Sequence, residues 1–376
     1  MSFLGWQSGG KCCQTWPMKL LKNPYRGQGL PSGATNVKGT LVDDPTAAQA
    51  LLALCPIADV TPLSPAPSIA QDLGIKDLLI KDERARMGLG SFKALGAAHA
   101  IAKQAWQELG DDLADAARTK TALSDAVFCA ATAGNHGLSI AAGARVFGAR
   151  AVIYIAETVP ASFEARLKSL GAEVIRDGQN YEASLDAAKA AAAENHWQLL
   201  SDTSWPGYTD PPRDVMEGYL IMAAEAADQW PDDPPSHIFL QAGVGGLAGA
   251  AAIYARKRWG DAPMIVVVEP EAAPALQASI AAVHPVVTAG PVSNMGRLDC
   301  KEPSHLALKS LAEIADYFMT LSDQAVADAI ADLAGVGFAT SPSGGAGYAG
   351  LLAAVGLDEL RLTPDSRVLL YLSEGP

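Results

Sequence analysis

The chain has 376 residues, 49% of them hydrophobic and 18% charged, a balance that fits a globular protein with enough apolar material for two substantial cores. A formal net charge of -13 argues against nucleic acid and anionic membrane surfaces as partners, since both reward clustered Lys and Arg. Five cysteines (Cys12, Cys13, Cys55, Cys129, Cys300) without Cys-x-x-Cys spacing and six histidines without a His-x-x-x-His pair argue against a disulfide framework and against zinc, so no metal is expected.

In chain order, residues 1–40 have little periodicity and read as an extended arm, suited to wrapping a partner subunit. The N-terminus lacks the charged-then-apolar pattern of a secretory signal, and no apolar run approaches the ~18 residues of a membrane span, so a cytoplasmic location is expected. Short apolar runs then alternate with helical stretches: 78–80 with 92–109, 127–130 with 138–147, 151–155 with 161–170, and 174–175 with 181–194. This alternation predicts parallel α/β sheets. The turn-rich segment 201–212 breaks the rhythm, followed by a helix over 214–227, a Pro-rich linker at 231–235, and strands at 238–240, 265–268 and 368–372.

Three segments carry chemistry. Residues 90–96 read Gly-Ser-Phe-Lys-Ala-Leu-Gly, which sets Lys93 one turn into a predicted helix. The positive end of the helix dipole disfavours the ammonium, so the position predicts a lysine with more free base for attack on a carbonyl. A solvated surface lysine is the plainer alternative. Residues 129–137, Cys-Ala-Ala-Thr-Ala-Gly-Asn-His-Gly, turn from an apolar run into a helix. Such a turn aims several N–H groups at one point, as a carboxylate requires, while Asn135 can donate to a phenolic oxygen.

Residues 243–249, Gly-Val-Gly-Gly-Leu-Ala-Gly, follow a strand-like run and open an alanine-rich helix. Glycines there let the main chain close on a phosphate. Alone, this segment also fits a dinucleotide fingerprint, with Gly243, Gly245 and Ala248 in the pattern and Glu269 as the acid. A dinucleotide leaves the lysine and the asparagine turn unexplained. A cofactor with one aldehyde, one phenolate and one phosphate uses all three segments, and pyridoxal 5'-phosphate is that cofactor.

The order of these segments, with a hydroxyl residue near the C-terminus, resembles the fold type II pyridoxal-phosphate enzymes. Within that group the chain is most similar to the diaminopropionate ammonia-lyases, from Asn-Pro-Tyr-Arg-Gly at 23–27 to the C-terminus. Residues 202–209, Asp-Thr-Ser-Trp-Pro-Gly-Tyr-Thr, with Met216, Gly218 and Tyr219 beyond, resemble that family's Asp-Thr-x-Trp-x-Gly-Tyr signature. Leu298-Asp299-Cys300-Lys301-Glu302-Pro303 resembles its Leu-x-Cys-Gly-Glu-Pro.

The resemblance implies an α/β fold of two lobes with open, mostly parallel sheets flanked by helices and the cofactor in the interlobe cleft. Residues 1–93 and 201–376 are expected to form the larger, cofactor-binding lobe and residues 94–200 a smaller inserted lobe, in a homodimer. It further implies that Lys93 forms an imine with pyridoxal phosphate and moves the α-proton, with Phe92 beside it, and that Asn135 contacts the phenolic oxygen. Gly243, Val244, Gly245, Gly246 and Leu247 would cradle the phosphate, and Ser373 would face the pyridine nitrogen. A neutral hydroxyl there favours loss of a β-substituent over transamination. Glu374 is set aside, because neighbours on a strand point to opposite faces. Thr132, Ala133, Gly134, Asn135 and His136 would hold the amino acid substrate.

The implied reaction is α,β-elimination on a β-substituted amino acid, with 2,3-diaminopropionate as the leading substrate, yielding a 2-oxo acid and ammonia. Asp202 is the candidate general acid, or the partner of the β-ammonium. The alternatives are a dehydratase of 3-hydroxy amino acids and a non-catalytic cofactor-binding paralogue, against which the retained Lys93 stands. Two departures from the family pattern matter. Ala133 stands where the family commonly has an aspartate held to act on the D-isomer, so an L-specific enzyme is expected unless Asp202 substitutes. Arg297 and Lys301 alter the loop expected to line the β-substituent pocket, where either would favour an anionic side chain. Residues 341–347, Ser-Pro-Ser-Gly-Gly-Ala-Gly, form a further turn expected to close the cleft or to begin a helix capped by Ser343.

Overall fold

The computed structural model describes residues 18–110, 115–132, 134–231 and 233–376. Its strands, in chain order, are β1 (Met18–Lys22), β2 (Leu63–Pro65), β3 (Asp77–Asp82), β4 (Val127–Ala131), β5 (Arg150–Ile155), β6 (Glu173–Arg176), β7 (Gln198–Leu199), β8 (His237–Gln241), β9 (Met264–Pro270), β10 (Tyr317–Leu321) and β11 (Arg367–Leu372). They form a seven-stranded sheet in the order β1-β10-β9-β8-β11-β3-β2 and a four-stranded sheet in the order β6-β5-β4-β7. Only the edge pairs β1 with β10 and β2 with β3 run antiparallel. All other pairings are parallel, in both sheets.

The central strands explain themselves. Every residue of β8 and all but the first of β9 are buried, because helices cover both faces, and a strand buried on both faces reads as a continuous apolar run rather than an alternation. Helix Gly246–Trp259 and helix Asp210–Gln229 pack one face into a core with Ile238, Leu240, Ile265 and Val267. The opposite face packs Phe239, Val266, Val268 and Leu370 against helices Asp323–Gly335 and Pro342–Ala354. The smaller sheet has its own patch, Cys129, Ala131, Val152 and Tyr154 against Ala188 and Ala192 of helix Tyr181–Asn195.

The chain leaves the large sheet after β3 through helix Lys93–Leu109, builds the small sheet, and returns through helix Asp210–Gln229. Those two helices touch through glycines. A Cβ on Gly96 would lie 2.5 Å from Cε1 of Tyr219, and one on Gly218 would lie 2.4 Å from the Leu95 carbonyl oxygen. At such separations any larger residue would force the helices apart.

The expected arm needs a correction. Residues 1–17 lie outside the described residues, but Met18–Lys22 pair with β10 of the chain's own sheet. Asn23 Nδ2 then donates to the carbonyls of Ala312 (2.8 Å) and Ala315 (2.6 Å), clamping the C-terminal end of helix His305–Ile314. Alternating partners rather than disorder set this stretch, and its short length hid the period. The helix expected over 214–227 begins earlier, at Asp210, because Pro211 and Pro212 fit a first turn whose N–H groups have no intrahelical partner anyway.

Candidate active site

Each segment with predicted chemistry leaves the C-terminal end of a strand, where open α/β sheets place ligands. Lys93 follows β3, Asn135 follows β4, Asp202 follows β7, Gly243 follows β8, and Ser373 and Glu374 follow β11. Lys93 is the first residue of its helix rather than one turn in. Its Nζ donates to Oδ2 of Asp202 and lies 5.4 Å from the ring centroid of Phe92 and 5.9 Å from that of Tyr219. The two rings are tilted against each other with centroids 4.8 Å apart.

This geometry overturns the expectation of a readily deprotonated lysine. Burial works against the Lys93 ammonium, but attraction to the Asp202 carboxylate outweighs it and holds the amine well above its ordinary pKa. Asp202 is the mirror image. Burial would raise it, yet the Lys93 ammonium, by its charge and its hydrogen bond, keeps the carboxyl far below the usual range. His136 is buried, its Nε2 2.8 Å from the Leu200 carbonyl oxygen, and burial lowers its pKa. A neutral ring donating through Nε2 fits both facts.

Asn135 and His136 open helix Asn135–Val146, whose N-cap is Gly134 with no side-chain cap. The N–H of Gly134 is taken by Oγ1 of Thr132 at 3.1 Å. The Gly137 N–H is taken by the Gly134 carbonyl at 3.1 Å, while the N–H groups of Asn135 and His136 have no intrahelical acceptor, which suits an anion. Ala133 lies outside the described residues.

Glu374 is the residue that the strand argument set aside and the fold brings in. β11 ends at Leu372, so alternation no longer applies to Ser373 and Glu374. Ser373 is buried, with its carbonyl accepting from the Phe92 N–H at 3.0 Å. The Glu374 carboxylate is also buried and accepts from Asn135 Nδ2 (2.6 Å), from the Arg297 guanidinium (2.9 Å) and from the Ser341 hydroxyl. Burial raises its pKa, against the pull of Arg297, Ser341 and Asn135. Arg297 is therefore occupied by a carboxylate of the chain itself.

Lys301 points elsewhere. Its Nζ donates to Oδ1 of Asp299 (2.5 Å) and to the carbonyls of Ala272 (2.8 Å) and Pro291 (2.9 Å), which fixes the loop and leaves no donor for a substrate. The helix cap also differs from expectation: Ser341, not Ser343, caps helix Pro342–Ala354, accepting from the Gly344 N–H at 3.0 Å. Ser343 instead accepts from the Arg297 N–H at 3.1 Å.

The glycine segment forms a tight turn into helix Gly246–Trp259. Gly245 has φ +100, a conformation that L side chains rarely adopt, and a Cβ on Gly243 would lie 3.0 Å from the Cys300 sulfur. No side chain caps this helix, so its first N–H groups are free for an anion. Close by, a Cβ on Gly246 would lie 3.3 Å from the Tyr219 ring, and the Tyr219 hydroxyl is buried without a hydrogen-bond partner. An orphaned buried hydroxyl is costly, and its place between an uncapped helix start and Lys93 is what a cofactor phosphate with an amine-linked carbonyl would satisfy. The residues present thus fit pyridoxal phosphate.

Glu374, Ser341, Tyr219 and Cys300 join the site from four separate segments. Of these, Tyr219 and Cys300 were visible only as parts of the family signatures, Ser341 only as the start of the turn expected to close the cleft, and nothing local marked Glu374 as a member.

Fold and site together define a cofactor-dependent enzyme, and the sequence comparison agrees: the family described as pyridoxal-phosphate dependent enzyme matches residues 55–374, and the chain belongs to it. It is similar to diaminopropionate ammonia-lyase of Escherichia coli strain K12, with 32% identity over 335 residues, 84% of each chain. It is also similar to human L-serine dehydratase/L-threonine deaminase, with 30% identity over 244 residues, 64% of this chain and 66% of that one. A crystal structure of the E. coli diaminopropionate ammonia-lyase in complex with D-serine superposes with a TM-score of 0.85 at 27% identity, covering 96% of this chain and 94% of that one. No helix among the described residues is long and apolar enough to cross a membrane.

Proposed function

We propose that this protein eliminates the β-substituent of an amino acid, with 2,3-diaminopropionate as its substrate and the L-isomer preferred. Bound through Lys93, pyridoxal phosphate supplies the electron sink that makes the α-proton acidic. The carrying observation is the Lys93–Asp202 pair beside the uncapped start of helix Gly246–Trp259. Freed as the neutral amine when the substrate's amine takes its place, Lys93 would take the α-proton. Asp202, held ionised, is suited to bind a β-ammonium and to keep it protonated until it departs as ammonia, a better fit than donating a proton itself. Loss of the α-proton and the β-ammonia leaves 2-aminoacrylate, and water converts that to pyruvate and a second ammonia.

In this reading Gly243, Val244, Gly245, Gly246 and Leu247 hold the phosphate, Phe92 flanks the cofactor, and Asn135 donates to its phenolic oxygen. Ser373 faces the pyridine nitrogen. Thr132, Ala133, Gly134, Asn135 and His136 receive the substrate carboxylate. Residues 94–200 form a smaller lobe inserted into a larger one made of residues 1–93 and 201–376, and the working form is a cytoplasmic homodimer.

The second reading, dehydration of a 3-hydroxy amino acid, is favoured by the similarity to the human serine dehydratase. A panel of β-substituted amino acids, with ammonia and oxo acid measured side by side, separates the two. Diaminopropionate is expected to release ammonia from both nitrogens, whereas a hydroxy amino acid gives half as much ammonia per oxo acid. D-diaminopropionate is expected to turn over slowly, because Ala133 has no proton acceptor. Equal rates for the two isomers would end the stereochemical part of the proposal.

A further inference from the structure

Asn135 has one acceptor and two donor hydrogens, and nothing in its own turn decides how they are oriented. Glu374 decides it. An ionised carboxylate only accepts, so the 2.6 Å contact with Glu374 Oε2 must come from Nδ2 of Asn135. The other oxygen, Oε1, receives the Arg297 guanidinium and the Ser341 hydroxyl, two donors that favour the ionised form. The backbone fixes this carboxylate as firmly as its partners do. The Glu374 carbonyl accepts from Thr340 Oγ1 at 2.6 Å, Glu374 bridges Ser91 in antiparallel fashion, and Gly344 leaves the space that its side chain crosses. A Cβ on Gly344 would lie 3.0 Å from Glu374 Cγ.

We propose that Glu374 is the positioning residue for Asn135: by accepting one Nδ2 hydrogen it fixes the amide so that the second is presented to the phenolic oxygen of bound pyridoxal phosphate. This rests on the reading in which Lys93 carries the cofactor and Asn135 meets that oxygen. The consequence is electronic. A donor at the phenolic oxygen stabilises its anionic form, which absorbs in the visible, over the neutral form, which absorbs in the near ultraviolet.

The test uses the full chain loaded with pyridoxal phosphate, with absorption spectra and cofactor affinity as readouts and circular dichroism as the check on folding. Asn135→Ala and Glu374→Leu are each expected to move absorbance from the visible to the near-ultraviolet band and to weaken cofactor binding about tenfold. The double variant is expected to match Asn135→Ala alone, because Glu374 acts through Asn135. Glu374→Gln keeps an acceptor and is expected to retain most of the visible band. The proposal is overturned if Glu374→Leu leaves the spectrum unchanged, if it shifts the spectrum equally in the Asn135→Ala background, or if Glu374→Gln loses as much as Glu374→Leu. A wild-type protein that binds the cofactor without any visible band would instead overturn the assignment of Lys93, a result distinct from all of these.

Discussion

Lys93 and Asp202 are 109 positions apart in the chain, yet each sets the other's charge. The folded carboxyl of Asp202 lies below its unfolded value, so its contribution to stability is present above that unfolded value and is lost as pH falls through the folded one. The folded amine of Lys93 lies above its unfolded value, so its contribution is present below that value and is lost as pH rises through the folded one. In the protein freed of cofactor, where Lys93 carries its ammonium, the pair therefore stabilises the fold fully between about pH 4 and about pH 10. Asp202→Asn is expected to lower Tm across that interval, and the gap to wild type should close as the pH drops well below 4. Thermal melts over a pH series decide this; a gap that is independent of pH would mean that Asp202 acts through packing alone. The sequence marked both residues, Lys93 by its helix start and Asp202 by the family signature, but it predicted the wrong charge state for the lysine. A helix dipole is felt within one turn, whereas a carboxylate from across the fold is a full charge at contact distance.

Among the elements, the loop between β3 and helix Lys93–Leu109 is held from beneath by a buried ionic cluster. Arg86 pairs with Glu83 (2.7 Å) and Glu225 (2.5 Å), Lys81 pairs with Glu225 (2.7 Å), and Thr61 Oγ1 donates to Glu83 at 2.6 Å. Lys81, Glu83 and Arg86 are each 0% exposed, so none can turn to water if its partner is lost. Glu225 stands in helix Asp210–Gln229, which also carries Tyr219, so the cluster joins the lysine loop to the helix behind the cofactor site. Glu225→Ala is expected to destabilise the protein by about 3–5 kcal/mol, because it leaves the buried Lys81 ammonium without a carboxylate and takes from Arg86 one of its two. Urea unfolding measures the loss, and a value under about 1 kcal/mol would show that the cations find other partners. No sequence pattern announced this cluster. Charged residues at 81, 83 and 86 read as solvated until the fold sets a glutamate from another helix among them. Most helices and the strands β3, β4, β5, β8, β9 and β11 were more legible, since apolar runs and periodicity are local signals; β2 and β7 were missed because a strand of two or three residues has no period to read, and β10 because burial on both faces leaves it no alternation.

At the scale of the whole molecule, β1 closes one edge of the large sheet. Its partner β10 is buried along all five residues, so removing residues 1–22 would lay bare a row of unpaired backbone groups on an apolar strand. Such an edge is a template for pairing with another chain. The truncated protein is expected to aggregate on warming at temperatures where the full chain stays clear in light scattering. If it remains clear and elutes as the full chain does by size exclusion, the edge is protected by other means.

The sequence by itself determined the alternation of strands and helices and the glycine turns, and it nominated Lys93 to carry the cofactor, because each signal is written in a few contiguous residues. The tertiary structure alone decided the charge on Lys93, the docking of residues 18–22 on the chain's own sheet, the capture of Arg297 and Asn135 by Glu374, and the removal of Lys301 from the site. Those outcomes depend on groups brought together from distant segments, and electrostatic and hydrogen-bond energies at contact distance follow from where partners end up in space, not from their spacing along the chain.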